Sequence, residues 1–204
     1  MTWDEIFECK GPDRDYDHHT LGPILKSDAA LLAGILNYVK PRIAIEYGCL
    51  EGHSAAVLCR FVEKLYCVEV DNVRNGLLHV MERNPNIVHV HASMTQWDPP
   101  PEVEQIDLVY FDASHNFRDS RDAYLRIKSR LSQRTMIICH DTATWIEPMP
   151  QHFRDFAQPR FEAVSGERGF VRWLEANNWT AISFAGRELR HGLTVLQFDK
   201  GWEK

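Results

Sequence analysis

The chain has 204 residues, 44% hydrophobic and 25% charged, enough to bury one substantial core and too few to expect a second domain. Its formal charge of −6, from 23 Lys and Arg against 29 Asp and Glu, argues against a polyanionic substrate such as nucleic acid. No apolar stretch approaches bilayer length, the acidic N-terminus lacks the apolar core of a signal peptide, and the five cysteines show no CxxC spacing, so a reduced, cytoplasmic protein is expected.

Residues 1–26 are polar and irregular, an arm that reads equally well as a lid over a ligand or as a disordered end. Ser27 and Asp28 are expected to cap a helix over Ala29–Val39, which Pro41 stops. The run Ile43-Ala44-Ile45-Glu46 then reads as a strand, followed by a turn with Gly48 and Gly52 and a helix from Ala55 to Lys64 opened by Ser54. Glycine tolerates positive φ and carries no Cβ, so backbone at Gly48 and Gly52 can approach a ligand closely. An acid at the strand end, Glu46, repels pyrophosphate but suits ammonium or hydroxyl groups, so a cationic, ribose-bearing ligand fits better than a dinucleotide.

A second apolar run, Leu65 to Asp71, ends in acids about 20 residues farther on, where nucleoside-binding folds place a carboxylate on the ribose hydroxyls. Asp71 reads as the cap of a helix over Val73–Arg83, and a third strand, Asn86–His91, leads into Ala92-Ser93-Met94. Strand four, Ile106–Phe111, ends in Asp112-Ala113-Ser114-His115, and strand five, Thr135–Cys139, ends in His140-Asp141-Thr142. Neighbouring parallel strands lie about 5 Å apart, so these ends can converge on one divalent ion. Imidazole is a weak partner for magnesium and a better one for manganese, iron, cobalt or zinc, which leaves His140 either a ligand or a neighbour, with Thr142 as a further oxygen.

The rest of the chain carries less chemistry. Arginines 118, 121, 126, 130 and 134 read as a solvated surface. Residues 145–169 are aromatic-rich and irregular, equally suited to a substrate-binding insertion or to covering the sheet. Glu167–Asn177 reads as a helix, and Trp179–Phe184 with Leu193–Phe198 as a closing hairpin. Alternating strands and helices predict an α/β, doubly wound, mostly parallel sheet with helices on both faces.

Glu46-x-Gly48-x-x-x-Gly52-x-Ser54 resembles the first motif of class I S-adenosylmethionine-dependent methyltransferases. The endings of strands four and five resemble the metal-dependent O-methyltransferase branch, which contains catechol-type and antibiotic-sugar enzymes. The resemblance spans residues 27–142. It implies a Rossmann-like fold with an antiparallel closing strand, and S-adenosylmethionine bound through Glu46, Gly48, Gly52, Ser54, Glu69, Ser93, Met94 and Asp112. It implies a divalent cation, magnesium or manganese, on Asp112, Asp141 and His140, with His115 of Asp112-x-x-His115 taking the proton of a small-molecule hydroxyl. A sugar, phenol or polyketide acceptor suits this pattern, and a homo-oligomer is compatible with it. Two alternatives stay open at this point: a non-methylation reaction such as hydroxylation on the same fold and metal, and a cofactor-binding protein without turnover.

Overall fold

A computed structural model of the chain describes residues 24, 26–114, 116–142, 167–185 and 192–198. The first helix, α1 (Lys26–Val39), buries Ala29, Leu32, Ala33 and Leu36, a spacing that lines one helical face. It begins at Lys26, so Ser27 and Asp28 belong to its first turn and do not precede it. Asp28 lies one turn before Leu32 and is buried with it, an acid favourably placed at the positive end of the helix. Lys40, at φ 51, ends the helix in the left-handed conformation before Pro41.

Strand β1 (Ile43–Tyr47) lies at the centre of the sheet, parallel to β2 (Lys64–Glu69) and β4 (Ile106–Phe111). Between β1 and β2, helix α2 covers only His53–Leu58, shorter than the expected Ala55–Lys64. Its last carbonyls close tighter turns with Arg60 and Phe61, and the Arg42 carbonyl draws the Glu63 and Lys64 amides into the sheet. Helix α3 (Asn75–Arg83) also starts later than expected. Asp71 does not cap it but pairs with the Arg74 guanidinium at 3.0 Å, and the carboxylate of Glu51 receives the Gly76 amide instead.

Strand β3 (Ile87–His91) forms one edge, and α4 (Phe117–Ile127) is capped by the Asn116 side chain, which accepts from the Arg118 amide. Strand β5 (Leu131–His140) is longer than the expected Thr135–Cys139. Its pairing with β4 shifts register between Ile106 and Leu108, where the Thr135 hydroxyl donates to the Ile106 carbonyl and accepts from Ser132. Arg126 and Arg130 do not face solvent freely: Arg126 pairs with Asp98 and Arg130 donates to the Pro100 and Val103 carbonyls, tying down the β3–β4 connection.

Helix α5 (residues 167–175) precedes β6 (Trp179–Phe184) and β7 (Leu193–Phe198). The seven-stranded sheet runs β3-β2-β1-β4-β5-β7-β6, with β7 antiparallel to both of its neighbours. Alternating residues feed two cores. Ala44, Leu65, Cys67, Leu108 and Tyr110 meet α1–α3, while Ile45, Tyr47, Val68, Val109 and Phe111 meet α4 and α5. The five parallel strands therefore deliver their carboxyl ends to one edge, as the sequence pattern predicts.

Candidate functional site

At the end of β1 the glycine turn is shaped by the protein's own backbone. Gly48 stands at φ 86, and a Cβ there would lie 2.2 Å from the Asp112 carbonyl oxygen. Its amide donates to Val68 while Asp112 donates to Tyr47, so the exits of β1, β2 and β4 are knitted through this residue. Gly52, at φ 83, likewise leaves room for Leu77 of α3. In the described structure the groups closest to these glycines are protein backbone and Leu77 of α3.

Glu46 faces inward. It is fully buried, with one carboxyl oxygen receiving the Ser54 hydroxyl and the other the Cys67 thiol at 3.2 Å. Burial raises its pKa to about 8, against the pull of those two donors, so the group is protonated at neutral pH. The Cys49 thiol, burial and Glu46 together hold the Cys67 thiol well above its ordinary value, which keeps it a neutral donor. Ser54 therefore serves Glu46 rather than the α2 N-terminus, and neither residue opens onto the carboxyl edge. This thiol partnership carries no spacing signal in sequence.

Glu69 presents itself differently. Its carboxylate is half-buried at the end of β2, where Leu50 donates to one oxygen at 3.1 Å and Val70 and Asp71 donate to the other at 2.8 and 3.3 Å. Three amides thus fix its orientation, and each oxygen keeps lone-pair capacity for a hydroxyl. Beyond β3, the Ser93 hydroxyl turns to Thr95, and Met94 is buried with its sulfur 4.0 Å from the Ser114 hydroxyl, which brings this loop beside the β4 exit.

One strand over, Asp112, His140 and Asp141 converge, their donor atoms all within 4.8 Å of one another. The His140 Nδ1 stands 3.1 Å from Asp141 and 3.4 Å from Asp112. Burial opposes a charge on this ring, but Asp112 and Asp141 override it and hold the pKa well above 6.5. Both buried ring nitrogens nevertheless lack a well-formed hydrogen bond among the described residues. Two carboxylates and an imidazole with under-used nitrogens are a donor set that fits a divalent cation of the manganese-to-zinc type. The hydroxyl of Thr142, the alternative oxygen, meets that of Thr194 at 2.7 Å. His115 and most of the 145–169 stretch lie outside the described residues, as do the arm at 1–23 and Cys9.

Residues 45–142 match the family model described as a methyltransferase domain. The fold is similar to that of the O-methyltransferase TomG from Streptomyces achromogenes, solved with S-adenosylmethionine, at 16% identity and TM-score 0.68, covering 96% of this chain and 90% of that one. It is similar to the S-adenosylhomocysteine-bound methyltransferase PaMTH1 of Podospora anserina, at 12% identity and TM-score 0.64, with 97% and 87% covered. An O-methyltransferase from Bacillus cereus, in complex with S-adenosylhomocysteine, aligns at 18% identity and TM-score 0.60 over 89% and 83%. No curated protein matches the chain significantly in sequence. Among the described residues no helix is long and apolar enough to cross a membrane.

Proposed function

We propose that this chain, whose residues 45–142 match a methyltransferase-domain model, is a class I methyltransferase that moves a methyl group from S-adenosylmethionine to a hydroxyl of a small molecule, assisted by a divalent cation. The observation that carries this reading is the Asp112, His140 and Asp141 cluster at the same sheet edge as the amide-ordered Glu69 carboxylate. Bound there, a divalent cation lowers the pKa of a hydroxyl and fixes its position, help that an amine acceptor does not need. Glu69 holds the ribose diol, and the Ser93-Met94 turn beside Ser114 borders the adenine. Gly48 and Gly52 shape the turn that borders the methionine part, while Glu46 and Ser54 brace that turn from beneath. The Asp112-x-x-His115 spacing supports His115 as the acceptor of the hydroxyl proton, since an imidazole titrates near neutrality. The acidic balance of the chain favours a small acceptor such as a sugar or phenol over nucleic acid.

The test is calorimetric titration of S-adenosylhomocysteine into the wild type and Glu69→Gln, each with and without manganese(II), followed by a hydroxyl-acceptor panel. The expected result is wild-type binding that weakens about tenfold or more in Glu69→Gln, from the loss of charge-assisted bonds to the ribose. Absence of binding to the wild type in every condition sinks the reading. A second reading rests on the raised His140 pKa: an imidazolium between two carboxylates is a self-balanced triad. Turnover that survives exhaustive chelation would favour that metal-independent transferase.

A further inference from the structure

The hydroxyls of Thr142, Thr194 and Ser183 form a chain beside the candidate metal centre, and nothing in the mechanism so far uses it. Thr142 Oγ1 and Thr194 Oγ1 are 2.7 Å apart, and Thr194 Oγ1 and Ser183 Oγ are 2.8 Å apart. Thr194 is fully buried and Thr142 nearly so. Two strands and the segment just past β5 supply the chain: β7 runs antiparallel between β5 and β6, pairing Thr194 with Cys139 on one side and Ser183 on the other, and Thr142 follows β5 by two residues. The residue between His140 and Thr142 is Asp141, whose φ of 57 is left-handed. A non-glycine residue pays for that conformation and keeps it only where its surroundings fix it. Thr142 is the next residue along, and its side chain is anchored by a hydrogen bond to a buried hydroxyl of a different strand. The backbone on the far side of Asp141 belongs to the β5 ladder. Asp141 is thus held from both sides, by the sheet before it and by the hydroxyl chain after it.

We propose that Thr194, through Thr142, is a positioning residue that holds Asp141 in the conformation that points its carboxylate at the cation, with Ser183 completing the chain. This rests on the reading that Asp112, His140 and Asp141 bind a divalent cation. Groups that orient metal ligands without touching the metal are commonly worth about 10–100-fold in affinity.

The experiment is manganese(II) binding by the full-length protein, followed through the free-ion paramagnetic resonance signal, for wild type, Thr194→Val, Thr194→Ser, Ser183→Ala and Asp112→Ala. Near-ultraviolet circular dichroism identifies any variant that has lost its packing. Thr194→Val keeps the shape and removes the hydroxyl, and is expected to weaken binding about tenfold or more, with Thr194→Ser restoring it. Ser183→Ala, at the exposed end, is expected to weaken binding about two- to threefold and serves as the readout if Thr194→Val fails to pack. Wild-type affinity in packed Thr194→Val and in Ser183→Ala, with binding abolished in Asp112→Ala, overturns this proposal alone. No manganese binding by the wild type, or binding indifferent to Asp112→Ala, overturns the metal reading and this proposal with it.

Discussion

The two halves of the carboxyl edge handle their acids in opposite ways. In the β1–β2 half every acid is settled by protein donors: Glu46 by Ser54 and Cys67, and Glu69 by three backbone amides. In the β4–β5 half, two carboxylates and an imidazole crowd within 4.8 Å, and the carboxylates draw positive charge to the imidazole, as a proton or a metal ion. A half whose charges are settled is preorganised for a neutral diol. A half whose negative charges are gathered is preorganised for a cation.

Gly48 is where the halves meet, and it offers the largest way to break the comparison. Gly48→Ala puts a Cβ 2.2 Å from the Asp112 carbonyl at φ 86, so both halves should fail together. The expected loss is about 3 kcal/mol or more of unfolding free energy, read from urea melts. A Gly48→Ala variant as stable as the wild type would mean that β1 and β4 are not joined through this contact. Gly48 substitutions are therefore poor probes of cofactor binding, because they alter the fold first.

Asp112→Asn separates the halves. It should cost about 100-fold or more in manganese affinity while leaving S-adenosylhomocysteine binding within about threefold, because the Asp112 backbone contacts to Gly48 and Tyr47 remain. Parallel loss of both ligands in calorimetry would show that the edge acts as one site.

Glu46 gives the most diagnostic effect. Its folded pKa of about 8 stands above the ordinary 4.5, so its contribution to stability is fully present below pH 4.5 and is lost as pH rises through 8. The steepest slope is about 1.4 kcal/mol per pH unit. Glu46→Gln, which cannot ionise, should flatten the wild-type decline in urea-unfolding free energy over this window. Identical pH profiles for the two proteins would show that Glu46 is charged in the folded state.

Much of this was legible in the chain itself. Strand positions β1, β2, β4, β6 and β7 follow from short β-branched runs closed by acids, glycines or turns, and the parallel order of the first five from their alternation with helices. The acids at strand ends were legible too, because a parallel sheet delivers every such end to one edge. Helix boundaries were less so. The Ser54 and Asp71 side chains do not cap, since Ser54 is used by Glu46 and Asp71 by Arg74, and the first helix already starts at Lys26, ahead of Ser27 and Asp28.

The sequence by itself determined the fold class, the sheet edge and the placing of Asp112, His140 and Asp141 at two neighbouring strand ends, because these follow from local periodicity and from which residue types close each run. Only the tertiary structure decided which acids are charged and where they point. Glu46 and Glu69 both end a strand, yet one meets a serine and a thiol in the core and the other meets amides at the surface. The Thr142 to Thr194 bond spans 52 residues. Burial and partners of that kind come from strands brought together by the sheet, and no local pattern encodes them.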